Sequence, residues 1–385
     1  MRRTVYTEDH EAFRRTIRDF LAKEVVPHFD DWTRAGLVPR ELYRKLGDLG
    51  YFGIEVPEEF GGAGITSFKY QAIVMEESAR AGVVLGAAGA HTALALPYLL
   101  KFGNDEQKQR WLPGFVSGDT MTALAMTEPG TGSDLAGIRA TARLSEDGTH
   151  YVLNGAKTFI TGGYQADLVV VVARTSPAPE ENRRLGLSLL CVDAKSEGYT
   201  VGRKLEKIGL RAQDTAELSF TDVRVPVENL LGEEGMAFRY LTHNLVQERL
   251  GAGAMSHGTA KAAIRFTTEY VKERLVFGKP VAAFQNTKFV LAECAAEVEA
   301  LECLLDKALE AFEAGELTSA DAAKLKLFAT ETAGRVTDKC LQLHGGYGYM
   351  MEYPIARLYA DTRVSRIYGG SSEIMKTIIA KDLGL

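Results

Sequence analysis

The sequence is sparing in cysteine and has neither a long apolar run nor a basic tract, and each absence removes a class of protein. Cys191, Cys294, Cys303 and Cys340 form no CxxC pair. Neither a zinc site nor a disulfide framework is therefore indicated, and no metal is expected. The four read as buried thiols of a reducing compartment, so a cytoplasmic location is expected. No segment reaches the roughly eighteen consecutive apolar residues of a membrane-spanning helix. The stretch from Arg2 to His10 is charged and lacks an apolar h-region, which argues against a secretory signal, while Glu8 and Asp9 argue against a transit peptide. A formal charge of −6 without runs of Lys or Arg disfavours nucleic acid and anionic membrane surfaces as partners. No GxGxxG follows a strand and opens a helix, and GGYGYM at 345–350 ends in Met, so a Rossmann nucleotide site is not expected.

What remains is a globular chain of 385 residues, 46% of them hydrophobic, long enough for two or three domains. Thr7 reads as an N-cap, and Phe13, Ile17, Phe20, Leu21 and Val25 recur at helical spacing. Further helical patterns cover 39–50, 66–82 and 85–103, with the glycine-rich segment 58–65 as a loop between two of them. A helical N-terminal region is expected over 1–120. Over 121–235 the period changes. Short segments rich in Val, Ile, Thr and Tyr, at 121–127, 138–144, 149–155, 167–174, 186–193 and 214–224, predict an antiparallel β-barrel or sandwich, because no helices alternate with them. Asp147-Gly148 predicts a hairpin and Asn154-Gly155 a second turn. From 236 to 385 the helical period returns in segments around 236–274, 285–314, 318–343 and 371–383, which predicts a four-helix bundle. The fold class is thus α+β with three domains.

Within the first bundle helix, Leu241, Leu245, Ala252, Met255 and Phe266 fall on one stripe, and Glu248 falls on that stripe with them. Two readings are open here. Glu248 is either a core-edge acid paired with Arg249, or a poorly solvated carboxylate whose raised pKa makes it a base near neutral pH. Four other segments carry chemistry-bearing residues. Leu124 to Gly137 (LAMTEPGTGSDLAG) runs from a strand into a glycine-rich loop whose amides and hydroxyls suit a cofactor ring or an anion, unless it is an ordinary turn. Lys157 to Gly163 (KTFITGG) offers Phe159 as a wall for a flat ring and Thr161 as a donor, or simply a core Phe beside a turn. ERLVFG (273–278) and QLHGGYGYM (342–350) combine a cation, an aromatic, an amide and glycines, with Arg274 either on a pyrophosphate or solvated. RIYGGSSEI (366–374) places glycines before the start of the last helix, an anion site or only a cap.

Taken in order, MTEPGTGSDLAG, ERLVFGKP, QLHGGYGYMMEYPIARLYAD and RIYGGSSEIMKTIIAKDL closely resemble the flavin-dependent acyl-CoA dehydrogenases over nearly the whole chain. The resemblance implies FAD between a helical N-domain, a β domain and a four-helix bundle, in a homotetramer whose neighbouring subunits complete each site. It implies that Leu124, Met126, Thr127, Ser133, Phe159, Ile160 and Thr161 line the flavin. Arg274, Phe277, Gln285, Gln342, Gly345 and Gly346 would hold its ADP half across a subunit boundary, and Ser371 and Glu373 the remaining contacts. Ser133, Arg249, Tyr368, Gly369 and Gly370 would meet the acyl-CoA substrate. The segment ALALPYLL (93–100) resembles the family's pocket floor, where small Ala95 favours a deep tunnel.

One position departs from the commoner pattern. Many members carry the catalytic Glu directly after the Tyr of an IYEG motif, where this sequence has Gly369. The long-chain and isovaleryl branches place the base on the preceding bundle helix, in a segment similar to LVQERL, which points to Glu248, the acid already singled out by its stripe. Without a side chain, Gly369 leaves room for that carboxylate and can still offer its N–H to the thioester oxygen. The expected reaction is α,β-dehydrogenation of an acyl-CoA to the trans-2-enoyl-CoA in fatty acid β-oxidation, with electrons passing to an electron-transfer flavoprotein. An oxidase or monooxygenase on the same fold, dehydrogenation of a carrier-protein thioester, and a binding protein without a base are the alternatives.

Overall fold

The computed structural model describes residues 3–385. The N-terminal region contains α1 (Glu8–Phe20), α2 (Phe29–Ala35), α3 (Arg40–Asp48), α4 (Lys69–Ala81), α5 (Ala88–Ala90), α6 (Leu96–Phe102) and α7 (Asp105–Ser117). Thr7 caps α1 as its spacing predicts, its N–H donating to His10 Nδ1 at 3.2 Å, and Ile17 and Leu21 are buried. The pattern over 85–103 predicts one helix. The structure instead breaks it into α5, a π turn over His91–Ala95, and α6 with Pro97 in its first turn, where the missing N–H costs nothing. Helices α2 and α7 lie outside the predicted segments. The start of α7 was nevertheless legible, because Asn104 and Gln107 form a reciprocal capping box.

The middle region is one continuous eight-stranded sheet: β1 (Thr122–Ala125), β2 (Thr141–Leu144), β3 (His150–Thr161), β4 (Leu168–Arg174), β5 (Leu187–Asp193), β6 (Tyr199–Lys204), β7 (Thr215–Pro226) and β8 (Leu230–Leu231). The order is β6-β7-β3-β2-β4-β5-β8, with β1 on β4. It is antiparallel as expected except at β4, which β1 joins in parallel from Thr122↔Leu168 to Ala125↔Val171 and β2 touches at one parallel bridge. The reason is coverage. β1 is buried throughout and β4 nearly so, with Val170 and Val172 packed toward the N-terminal helices and Val169 and Val171 toward the rest of the sheet; parallel pairs belong where both faces are covered. Strand β6 is polar, mostly exposed and paired only to β7, and no hydrophobic alternation announces it.

Asp147-Gly148 turns β2 into β3 as predicted, with Gly148 at φ +70°. Asn154-Gly155 does not turn the chain. It lies inside β3 at a register shift, where Gly155 has φ +145° and a Cβ would stand 2.7 Å from that of Ala140. Glycine is needed here for a bulge and a close approach rather than for a hairpin.

The C-terminal region contains α8 (Ala237–Glu273), the small hairpin β9 (Leu275–Val276) and β10 (Lys279–Pro280), then α9 (Gln285–Glu313), α10 (Ser319–His344), α11 (Pro354–Thr362) and α12 (Ser372–Asp382). No proline interrupts the chain between 281 and 353, and α9 and α10 run unbroken. Of the four thiols expected to be buried, Cys191, Cys294 and Cys340 are, whereas Cys303 lies on an outward face of α9 and is exposed. Helix α8 packs against α10, α9 and also α4. Its small residues allow this: a Cβ at Gly253 would stand 2.9 Å from Leu325, and one at Gly258 3.0 Å from the Cα of Glu76.

A buried ionic network ties α1 and α4 to the bundle. Arg14 reaches Glu76 and Glu77 at 2.9 Å each, Arg3 reaches Glu76 at 2.8 Å, and His257 of α8 reaches Glu302 of α9 at 3.1 Å. Burial alone would raise the Glu76 carboxyl, but His257, Arg3 and Arg14 hold it well below the usual range. Replacing Arg14 by Ala leaves two buried carboxylates short of a cation. The expected loss is about 3–5 kcal/mol, read as a lowered midpoint in urea or heat; an unchanged midpoint would mean that the network contributes nothing net.

Candidate active site

The site begins on α8. Among the described residues no group hydrogen-bonds Glu248 Oε1, which is shielded from solvent although the residue keeps a partly exposed edge. No ion pair joins Glu248 to Arg249, because neighbours in sequence point about 100° apart on a helix; the Arg249 guanidinium instead donates to Ser319 Oγ at the start of α10, 3.1 Å away. Burial pushes the Glu248 carboxyl up to about 7, and the Arg249 charge offsets this only in part. Of the two readings open at the sequence, the geometry selects the unpaired acid. Tyr98 of α6 is close enough to feel its charge: burial first, and then Glu248, raise the phenol well above its ordinary value. Tyr98, Ala95 and the π turn before them are buried, so 93–100 forms an inner wall. Sequence reasoning did not single out Tyr98 or Asn244, the residue one turn before Glu248.

The second element is the loop before α12. Gly369 and Gly370 have φ +66° and +96°, both left-handed, and a Cβ at Gly369 would meet nothing within 4 Å. Only glycine takes two such positions in succession without strain. Among the described residues nothing accepts the Gly369 N–H. The Tyr368 hydroxyl meets Met255 Sδ of α8 at 3.7 Å, and the buried Lys326 of α10 donates to the Gly370 carbonyl at 2.7 Å. Burial, then Arg249, lower the Lys326 ammonium to about 8, so the two cations are neighbours. In this way α10 joins the surroundings of Arg249 to the glycine loop. Ser371 caps α12, its Oγ accepting from Ile374 N at 3.4 Å, and Glu373 is exposed.

The third element is the edge where β1 and β3 meet. Thr158 N donates to Thr127 O at 2.9 Å, and the buried Lys157 donates to Met126 O and to Glu128 Oε1, both at 2.9 Å. Glu128 also accepts the Arg139 and Ala140 amides, so its buried carboxylate folds the loop 129–138 back onto the strands. Burial lowers the Lys157 ammonium to about 8 against the raising effect of Glu128. This clamp presents Met126, Thr127 and exposed Ser133 beside Phe159 and Thr161. Phe159 sits at φ +60° and is 68% exposed, a strained and open aromatic of the kind found where a ligand lies. Gln213 donates to Thr161 Oγ1 at 3.3 Å. Leu124 and Ile160 belong to this edge by their backbone only, because both side chains are buried in hydrophobic cores.

The remaining candidates form a separate cleft of about 550 Å³ lined by Arg274, Gln342, Gly345, Gly346 and Tyr347 among others. The Arg274 guanidinium lies 5.0 Å from the centre of the Tyr347 ring. Phe277 is 96% exposed at the tip of the β9–β10 hairpin, and Gln285 is exposed at the start of α9. None of these contacts the surroundings of Glu248. The site residues thus fall into three groups, around Glu248 and the glycine loop, along the edge of β1 and β3, and in the Arg274 cleft.

A helical region, a β-sheet and a helical bundle, with an enclosed acid of the bundle beside Tyr98 of the N-terminal region, make up the architecture of a known class of enzyme. Family models describing the acyl-CoA dehydrogenase N-terminal, middle and C-terminal domains match residues 7–119, 123–223 and 235–384. The mitochondrial long-chain specific acyl-CoA dehydrogenase of Sus scrofa is 42% identical over 381 residues, covering 99% of this chain and 88% of that one. The crystal structure of an acyl-CoA dehydrogenase from Geobacillus kaustophilus is 45% identical with a TM-score of 0.96, all of both chains being covered. An acyl-CoA dehydrogenase from Bacillus anthracis, solved in complex with FAD, is 32% identical with a TM-score of 0.90 over 98% of this chain and 67% of that one. The chain belongs to the acyl-CoA dehydrogenase family, oxidoreductases acting on acyl-CoA.

The state of Glu248 can be read from stability. Its carboxyl stands near 7 in the fold against an ordinary 4.5, so its contribution is fully present below about pH 4.5 and is lost as pH rises through 7. Glu248→Gln stays neutral throughout. Its stability relative to wild type should therefore grow by on the order of 2 kcal/mol between pH 5 and pH 8, measured by parallel unfolding curves. A difference that is constant with pH would mean that the carboxyl is solvated.

Proposed function

We propose that the protein binds FAD and dehydrogenates an acyl-CoA thioester between its α and β carbons, with Glu248 as the base that takes the α proton. The observation that carries this reading is an unpaired carboxyl, raised to about 7, on the helix whose Met255 meets Tyr368 next to the free Gly369 amide. The residues present suit FAD on two counts. Phe159 offers an open aromatic face beside the Thr127 and Thr161 hydroxyls, and Arg274 with Gln342, Gly345 and Gly346 forms a cleft in which a guanidinium can meet a pyrophosphate. When bound, FAD accepts the hydride that leaves the β carbon.

The α C–H of a thioester is a weak acid, and removing its proton builds negative charge on the carbonyl oxygen. The Gly369 N–H, with no acceptor of its own, is placed to bond that oxygen as charge develops. Glu248 accepts the proton; its raised pKa matches it to work near neutrality, because a base is most effective when its pKa lies close to the operating pH. Arg249 is held away from Glu248 by Ser319, which keeps the base free of an ion pair. The inner wall of Ala95 and Tyr98 excludes water from the acyl end. A long acyl chain as substrate and an electron-transfer flavoprotein as acceptor complete the reading.

The exposed apolar side chains of Leu275, Phe277, Phe289, Tyr349, Met350 and Met351 support a homotetramer in which neighbours cover these surfaces and complete the Arg274 cleft.

Anaerobic titration of the yellow protein with saturated acyl-CoAs tests the reaction. The flavin should bleach, at a rate that rises with pH through about 7. In Glu248→Gln the ligand should still perturb the spectrum, while bleaching slows by about 10²–10⁴-fold. No bleaching with any acyl-CoA would refute the reading, and rapid oxygen uptake by the reduced protein would identify an oxidase. Assembly is tested separately: dilution that dissociates the oligomer should release flavin, whereas full occupancy in a verified monomer would contradict a shared site.

A further inference from the structure

Lys326 lies on α10 with no exposed surface, yet among the described residues no carboxylate is within ion-pair distance of it. Its one hydrogen bond goes to the Gly370 carbonyl, 2.7 Å away. The charged groups around it are Arg249 of α8, Glu331 of its own helix and Glu373 of α12, and all three act at a distance. An ammonium buried for packing alone is replaced at little cost by an apolar side chain of similar length. What distinguishes this one is the group it holds.

The held loop has little grip of its own. Gly369 and Gly370 have no side chains, both are left-handed, and nothing lies within 4 Å of where a Gly369 Cβ would stand. Two adjoining glycines have four backbone dihedrals that packing does not restrain. The direction of the Gly369 N–H is therefore set by what fixes the ends of the pair. At one end Tyr368 meets Met255, and Arg366 is paired with Glu331 of α10 at 3.2 Å. At the other end Lys326 holds Gly370, and Ser372 Oγ donates to Glu331 Oε1 at 2.8 Å. Helix α10 thus grips both flanks of the pair through two side chains, Lys326 and Glu331.

We propose that Lys326 is a positioning residue for the reaction: by holding the Gly370 carbonyl it aims the Gly369 N–H at the thioester oxygen. The inference rests on the proposed dehydrogenation and adds to it a residue that touches neither substrate nor cofactor. Hydrogen-bond donors to an oxyanion act only when preorganised, and a donor free to turn away is worth little.

The test uses Lys326→Met, Lys326→Arg and wild type as FAD-loaded proteins, with a saturated acyl-CoA that wild type oxidises. Lys326→Met should keep its flavin and half-saturate at a concentration within about 3-fold of wild type, while the flavin-reduction rate falls about 10–100-fold. Lys326→Arg, which still donates, should recover part of that loss. A second measurement is made in the Glu248→Gln background, where no turnover interferes. There the affinities for the acyl-CoA thioester and for the matching alkyl-CoA thioether, which lacks the carbonyl oxygen, are compared by flavin difference spectra. Adding Lys326→Met should weaken the thioester about 3–10-fold and leave the thioether unchanged. Equal weakening of both ligands, or a reduction rate equal to that of wild type, would overturn the proposal. Should Lys326→Met not fold, Lys326→Gln is read by the same two comparisons. Failure of wild type itself to oxidise any acyl-CoA would strike at the proposed reaction, and is thereby distinguished from failure of Lys326 alone.

Discussion

The structure depends on one carboxyl being held inside the protein without a partner. Glu248 can stay there only because α8, 37 residues long, is enclosed by α4, α9 and α10 at distances that its glycines and alanines permit. The same helix meets a second buried acid in the opposite state. Glu76, facing His257, is held low against its burial by His257, Arg3 and Arg14, whereas Glu248 is raised by burial that Arg249 offsets only in part. The difference between a structural acid and a chemical one is thus set by the company each keeps along a single helix. Paired charges bind the N-terminal helices to the bundle, and the unpaired one has no hydrogen-bond partner among the described residues.

Two loops of the candidate site are fastened in the same way. Lys157 donates to Met126 O on the β side, and Lys326 donates to Gly370 O on the bundle side. Each is a fully buried lysine whose ammonium fastens a backbone carbonyl beside a segment with little packing of its own. The strain at Phe159 and the consecutive left-handed glycines at 369 and 370 show where the backbone is bent toward the site rather than toward the core. Such positions persist only when the surroundings fix them, which is the work of the two lysines.

Much of this was legible in the sequence. The stripe through Leu241, Glu248 and Ala252 marked an acid that the fold encloses, the Gly369-Gly370 pair marked a left-handed turn before the last helix, and the change from helical to alternating period near Met121 located the sheet. The errors have definite causes. Asn154-Gly155 has the composition of a hairpin turn but serves as a bulge, because the neighbour that demands glycine there is Ala140, fifteen residues before Gly155. The parallel pairing of β1 with β4 has no local signature either, since it follows from the N-terminal helices covering one face of those strands and the rest of the sheet covering the other.

What the sequence determined by itself is whatever depends on near neighbours: helical and strand periods, the caps at Thr7 and Ser371, the Asp147-Gly148 turn, and the placing of an acid on an apolar stripe. These follow from spacings of a few residues along one chain. What only the tertiary structure decided is which charges meet. Arg249 adjoins Glu248 in sequence yet bonds Ser319, and Lys326 reads as one more lysine in KLKLF until α10 brings it to Gly370. A side chain's partners are fixed by helix phase and by the packing of elements distant in sequence, and it is those partners that separate an ordinary glutamate from one with a raised pKa and a surface-like lysine from an anchor.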